Sequence, residues 1–203
     1  MFSFKGSPVP VRDDLRDAHK AIWAHFARPG QVFDAGQRRA ILDVARNNAP
    51  TNGDAIGQLA AALYTSPAAV TRDMVRSAID ASGEPATVEA VSLVSMLAAV
   101  DSTHRALGAE LEPLPEPLPG DPSGTVAEGL KKRRTYVPMP RNSITVALEL
   151  LPVENEAYAA ACGPHYMTFA EMASPLFERS PGLDRAQLET IASRTSLFQE
   201  CFY

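Results

Sequence analysis

Val88-Glu89-Ala90-Val91-Ser92-Leu93-Val94-Ser95-Met96-Leu97-Ala98-Ala99-Val100-Asp101-Ser102-Thr103-His104-Arg105-Ala106-Leu107, followed by Gly108, is the stretch that decides the fold class. Val91, Val94, Ser95, Ala98 and Ala99 recur at helical spacing, and Gly108 is a stop signal. The segment reads as the longest helix of the chain. Working back from it, Ser66-Pro67 supplies an N-cap and a first-turn proline for a helix running to about Ala81. Ala55 to Tyr64 is another helix. Asn47 to Asp54 reads as a loop, with Pro50 and Asn52-Gly53. Ala35 to Ala45 spaces Ile41, Leu42 and Ala45 for burial. Leu15, Ala18, Ile22 and Phe26 share a face, with Trp23 beside them, and Pro29-Gly30 ends that helix.

Downstream, Pro113 to Pro122 holds five prolines in ten residues. Such a run favours extended polyproline geometry and acts as a semi-rigid strap. It leads to Lys131-Lys132-Arg133-Arg134, read as a solvated basic linker with an anion or targeting patch as the alternative. Helices are expected again at Ile144 to Leu151, Glu154 to Ala161 and Tyr166 to Glu178, with a last one starting at Leu183-Asp184. The only strand-like piece is Thr135 to Val137. The pattern predicts an all-α chain.

The 203 residues carry a net charge of −5 and are 45% hydrophobic, which argues against disorder and against broad binding of nucleic acid or anionic membrane. No window is expected to be apolar or long enough to span a bilayer, and Met1 to Asp14 lacks a secretory layout. With only Cys162 and Cys201, no disulfide framework is implied, and a reducing cytoplasm is the expected compartment.

An internal echo is present. Asp34-x-x-Gln37-x-x-x-Ile41 matches Asp184-x-x-Gln187-x-x-x-Ile191 at an offset of 150 residues. Both fall where a helix follows a turn, which suggests duplication.

The constellation with chemical content is Glu189 followed, twelve positions later, by Cys201. A thiol attacks as its thiolate, and a carboxylate can relay the proton. Along one straight helix the two would lie roughly 18 Å apart. They cooperate only if the helix ends near Leu197 to Glu200 and the chain turns back, which would set Cys201 near a following helix N-terminus that favours the thiolate. The plain alternative is a surface glutamate and an incidental cysteine. Cys162-x-x-His165 could place two ligands on one helix face, but Gly163-Pro164 interrupts it and a closed zinc site needs four. His25 reads as a packed core histidine, His19 as a surface one, and His104-Arg105 as a capping and interface pair.

Glu189-x11-Cys201 resembles the opening of the Glu-x11-Cys-x2-Cys-x3-His signature of the alkylhydroperoxidase D-like, carboxymuconolactone decarboxylase-like superfamily. Ala27-Arg28-Pro29-Gly30 with Gly36-Gln37-Arg38 is similar to a two-copy branch of that group. So are Val88-Glu89-Ala90-Val91 leading to Asp101-Ser102-Thr103-His104-Arg105-Ala106-Leu107-Gly108, and Leu114-Pro115-Glu116-Pro117-Leu118-Pro119-Gly120. The resemblance spans nearly the whole chain. It implies an all-helical, usually oligomeric fold and haem-free thiol chemistry. In that chemistry the second Cys attacks a peroxide, the first resolves, and Glu and His relay protons.

Carried over, Glu189 is a relay residue and Cys201 the resolving thiol. The attacking residue and the His would fall at positions 204 and 208. The last residues, Glu200-Cys201-Phe202-Tyr203, read as a chain cut inside the motif. The register accommodates selenocysteine at 204, whose UGA codon an ordinary translator reads as a stop; an artificial boundary, a frameshift or a nonsense codon are the alternatives. The resemblance divides the chain into a first copy at 1–112 without the redox motif, a linker at 113–142 and the start of a second copy at 143–203. Thr51 and Arg39 hold the first-copy places of Cys201 and Glu189.

The implied function is thiol- or selenol-dependent peroxidase or disulfide oxidoreductase activity, absent from these 203 residues alone. Implied partners are a peroxide or disulfide substrate, an external dithiol and a second copy of the chain, with no metal or other cofactor. The rival is a non-catalytic helical oligomerisation module built on residues 15–108. Residues 143–203 are expected to lack packing partners, leaving Phe198, Phe202 and Tyr203 partly exposed.

Overall fold

A computed structural model describes residues 2–141, 146–178, 183–198 and 201. Among them the chain is all-α. The helices are α1 (Asp13–Phe26), α2 (Ala35–Asn47), α3 (Ala55–Thr65), α4 (Arg72–Ser82), α5 (Glu84–Ala106), α6 (Pro152–His165), α7 (Phe169–Met172) and α8 (Arg185–Phe198). A single 3-10 turn, Pro67–Ala69, precedes α4. The helix expected from Ser66-Pro67 is therefore broken. Val70 takes an extended backbone, and Thr71 opens α4 by accepting from the Met74 N–H. The strand-like piece, Thr135 to Val137, forms bends, and an isolated bridge joins Lys131 and Met139 on either side of it.

The core is built around α5, which packs against α2, α3, α4 and α6. Ile22, Trp23 and Phe26 of α1, Leu42 and Ala45 of α2, Leu59 of α3, and Leu93, Met96, Leu97 and Val100 of α5 form one buried cluster with Phe2 and Phe4. Of the face of α5 marked by the sequence, Val94 is buried in the core, while Val91, Ser95, Ala98 and Ala99 are half-buried. The deeply buried face carries Glu89, Leu93, Met96, Val100, Asp101 and His104. The helix is apolar on nearly every side, so polarity could not orient it. Its polar residues turn inward because buried partners receive them. α5 is also long and apolar enough to cross a membrane by length and composition, contrary to the sequence expectation, yet 67% of that window is packed inside the fold.

The proline strap is held tightly. Trp23 Nε1–H donates to the Pro113 carbonyl (2.8 Å), and Arg39 Nη1 donates to the Leu114 and Pro115 carbonyls (3.1 and 2.9 Å). The Leu118 N–H donates to the Ala27 carbonyl (2.7 Å), and the Ser123 N–H to that of Gly30 (3.0 Å). Extended backbone has no internal partners, so these bonds to the helices satisfy it.

The second half departs from the sequence reading. Residues 146–151 form turns rather than the expected helix; Ile144 lies outside the described residues. α6 begins at Pro152 and continues through Pro164 to His165, and it packs on α1 and α5 rather than standing alone. The segment expected as a helix from Tyr166 to Glu178 keeps only the single turn of α7. α8 has no buried residue, and Phe198 is 70% exposed. Phe202 and Tyr203 lie outside the described residues.

Candidate functional site

The two copies of Asp-x-x-Gln prove to be the same local device. Asp34 accepts from the Gln37 N–H (2.8 Å), while the Gln37 side chain accepts from the Asp34 N–H (3.0 Å). Asp184 and Gln187 repeat this at 2.9 and 3.0 Å. Each is a reciprocal capping box that satisfies two otherwise orphaned donors.

α8 is described as far as Phe198, Cys201 lies outside any helix, and the Cys201 N–H donates back to the Ser196 carbonyl (2.9 Å). Glu189 and Cys201 thereby line one surface depression of about 550 Å³, together with Tyr166, Ser193, Ser196 and Leu197. Cys201 is exposed and free. The Tyr166 hydroxyl donates to Glu189 Oε2 (2.6 Å), and Arg185 Nε to Oε1 (2.7 Å). The hydrogen bond from Tyr166, then that from Arg185, hold the Glu189 carboxyl below its ordinary range, so it is ionised at neutral pH. Desolvation and the Glu189 carboxylate push the Tyr166 hydroxyl up to about 12, keeping it a donor. The depression thus offers a thiol, an ionised carboxylate and a protonated phenol. Arg185 was legible as an i,i+4 partner of Glu189. Tyr166 was not, because the turn that brings it there has no periodicity.

The other thiol differs. Cys162 is half-buried on α6, and desolvation pushes its thiol up, which disfavours the thiolate. His165 faces away from any ligand role, since its Nε2 meets His19 Nε2 at 3.0 Å. Among the described residues no group of three or more His, Cys, Asp or Glu could hold a metal ion.

His19 is fully buried, not a surface residue. His165 Nδ1 lies 2.8 Å from the Ala161 carbonyl and must donate to it. Its Nε2 therefore accepts, and His19 donates from Nε2, leaving His19 Nδ1 buried without a partner. Burial, then His165 and His104, bring His19 down to about 3. His104, buried in the last turn of α5, donates from Nδ1 to the Glu110 carbonyl (2.7 Å), so it pins the loop after the helix rather than capping the carbonyls of α5.

The sequence reading missed an ionic network where α6 meets the first half. Arg38, Glu89 and Glu154 are all fully buried. Arg38 Nη2 reaches Glu154 Oε1 at 3.1 Å, and Arg38 Nε lies 3.6 Å from Glu89 Oε1. His25, whose side chain is 15% exposed rather than fully packed, places Nε2 at 3.0 Å from Glu154 and 2.7 Å from Arg38 Nη2. One tautomer cannot both donate to Glu154 and accept from Arg38, so this nitrogen links two alternative hydrogen-bond arrangements.

Glu89 Oε2 accepts from the N–H groups of Gln31 and Val32 (3.1 and 2.7 Å). Gln31 Oε1 in turn accepts from the Val153 N–H (2.9 Å), tying the start of α6 into the network. Desolvation raises the Glu89 carboxyl, outweighing Arg38. The Glu154 carboxyl is lowered: desolvation opposes this, but His25 and Arg38 prevail. A Cβ at Gly30 would stand 2.0 Å from Glu89 Oε1, so only glycine admits this approach. The missed signal was position: Arg38 precedes Ile41, Leu42 and Ala45 on the buried face of α2 at i, i+3, i+4 and i+7.

Positions 39 and 51, the counterparts of Glu189 and Cys201, make no thiol site. Arg39 grips Asp43 and the strap, and Thr51 is an exposed loop residue whose carbonyl accepts from the Asp54 N–H. Comparison with known protein families, with curated proteins and with solved structures finds no match to this chain.

Proposed function

We propose that the Glu189–Cys201 depression is a thiol redox site of the alkylhydroperoxidase D-like kind. It would serve thiol- or selenol-dependent reduction of peroxides or disulfides on a helical bundle of that type, in a reducing cytoplasm. The observation that carries this reading is the shared depression: two side chains twelve positions apart face one opening because the chain turns back at Cys201, whose N–H donates to the Ser196 carbonyl. Cys201 acts as the resolving thiol. Its thiolate attacks an oxidised sulfur or selenium, the new bond to Cys201 forms as the bond to the leaving group breaks, and the leaving group takes a proton. Glu189 receives the thiol proton and Tyr166 holds the carboxylate in place. An external dithiol then reduces the mixed species. Cys162 is the only other thiol in the sequence, and it is half-buried. The 203 residues alone are therefore expected to turn over no peroxide.

The test is incubation with glutathione disulfide followed by peptide mapping. Cys201 should form the mixed disulfide with little modification of Cys162, and an external dithiol should reverse it. Equal modification of both cysteines, or none at Cys201, would remove the reading.

A second reading has its own observation. Ile191, Leu197 and Phe198 of α8 are 55%, 74% and 70% exposed. That is an unpartnered apolar surface suited to association with further helices, as in a homo-oligomer. In a purely structural module the same surface would be covered and Cys201 would show no preference.

A further inference from the structure

We propose that the concavity between α4 and residues 132–136 binds a small phosphorylated anion. It encloses about 490 Å³, within the range of small-molecule sites. Arg72 and Arg76 stand one turn apart on α4, and Lys132, Arg133 and Arg134 cross over from the segment that follows the strap. Five cations therefore share one wall with one carboxylate, Asp80, in a chain whose net charge is −5.

Two of the five are committed and fix the wall. Lys132 Nζ pairs with Glu84 at 2.5 Å, anchoring the segment at the start of α5. Arg133 Nη1 donates to the Met139 and Pro140 carbonyls at 3.3 and 3.0 Å. Arg72, Arg76 and Arg134 have no ion-pair or hydrogen-bond partner among the described residues. Three unpaired guanidinium groups gathered beside the single carboxylate of Asp80 repel one another, and an anion placed between them relieves that repulsion. Their planar forks match phosphate oxygens, and more than one fork favours a ligand with more than one phosphoryl group.

Tyr136, 39% exposed, and Ile79 add an aromatic ring and an aliphatic surface for an organic portion. The bounded shape, in place of a long basic track, favours a small molecule over a polynucleotide or a membrane surface.

The test is calorimetric titration of the full chain with pyrophosphate, with inorganic phosphate and ADP for comparison, at low and high salt. The expected result is saturable binding at one site, pyrophosphate tighter than phosphate, weakening as salt rises. Arg76→Glu should weaken pyrophosphate binding by about tenfold or more. Lys5→Glu makes the same charge change at an exposed position outside the concavity and should leave binding within about twofold. Both variants must keep the native circular dichroism spectrum. Absence of saturable pyrophosphate binding would overturn the proposal, as would equal weakening by the two variants. Single-stranded RNA or anionic vesicles binding more tightly than every small anion, with loss in Arg76→Glu, would overturn it in favour of a macromolecular partner.

Discussion

α2 and α8 begin 150 residues apart with the same capping box, run to 13 and 14 residues, and meet opposite fates. Ile41 is 8% exposed and its counterpart Ile191 is 55% exposed. Leu42 and Ala45 are fully buried, whereas Ala192 is half-buried and Thr195 exposed. Arg38 lies at the centre of an ionic network, and Leu188 at its register position is half-buried. The caps decide where each helix starts; packing partners decide what it is worth. α2 has α3 and α5 against it, and α8 has no buried residue among those described. Most of a short helix's stability comes from such packing rather than from propensity.

The comparison breaks most sharply at the buried network. Arg38→Ala leaves Glu89 and Glu154 without their cation and should cost about 3–5 kcal/mol in urea unfolding, a large fraction of a marginal total. Leu188→Ala, at the same register in α8, should cost less than about 1 kcal/mol. Equal costs would mean that α8 is packed as α2 is.

Acid should act on the seam where α1 and α2 meet α6. His19 titrates near 3 when folded against an ordinary 6.5, so the unfolded chain takes up the proton first. Stability is present above about pH 6.5 and falls as pH drops toward 3. His165, also lowered, acts in the same sense, and Glu154 adds a further loss below the ordinary carboxylate range. Glu89, raised by desolvation, opposes them, because its folded form holds the extra proton longer. Thermal unfolding followed from pH 7 to pH 4 should show a falling midpoint, and His19→Gln should flatten that fall.

A smaller effect sharpens the role of close approach. Gly30→Ala forces a methyl into Glu89 Oε1 and Arg38 Nη1 and should cost about 1–3 kcal/mol by the same unfolding assay. The smallest effects separate cap from core. Asp34→Ala and Asp184→Ala each remove one cap, worth about 1 kcal/mol. Loss at Asp34 should appear in global unfolding. Loss at Asp184 should appear only as faster amide exchange within α8, with the global midpoint unchanged.

Much of the fold was legible. Asp34 and Asp184 marked helix starts and Gly108 marked the close of α5, because those signals are local; Ser66-Pro67 opened only a 3-10 turn, and the true cap of α4, Thr71, was passed over. Burial was legible only where polarity alternates. On α1 the spacing of Ile22, Trp23 and Phe26 pointed inward correctly. On α5 it placed Val94 correctly but missed Glu89, Asp101 and His104, which are buried by Arg38, by the Arg46–Tyr64 pair that holds Asp101, and by the Glu110 carbonyl just past the helix end. Between 146 and 178 the helix expected from Glu154 to Ala161 is present within α6, whereas apolar content misled at 146–151, which form turns, and from Tyr166 to Glu178, where only the turn of α7 forms. At the candidate site, Glu189 and Cys201 came from spacing. Tyr166 came only from the fold, because it reaches Glu189 across a turn 23 residues away.

The most direct measurement is the rate at which Cys201 reacts with a small aromatic disulfide in a Cys162→Ser background, with and without Glu189→Gln. If the depression is a thiol redox site, Cys201 reacts faster in the folded chain than in urea, and Glu189→Gln removes most of that advantage without lowering stability. If Cys201 reacts no faster folded than unfolded, and Glu189→Gln changes nothing, the cysteine is an ordinary exposed thiol and the redox account is wrong.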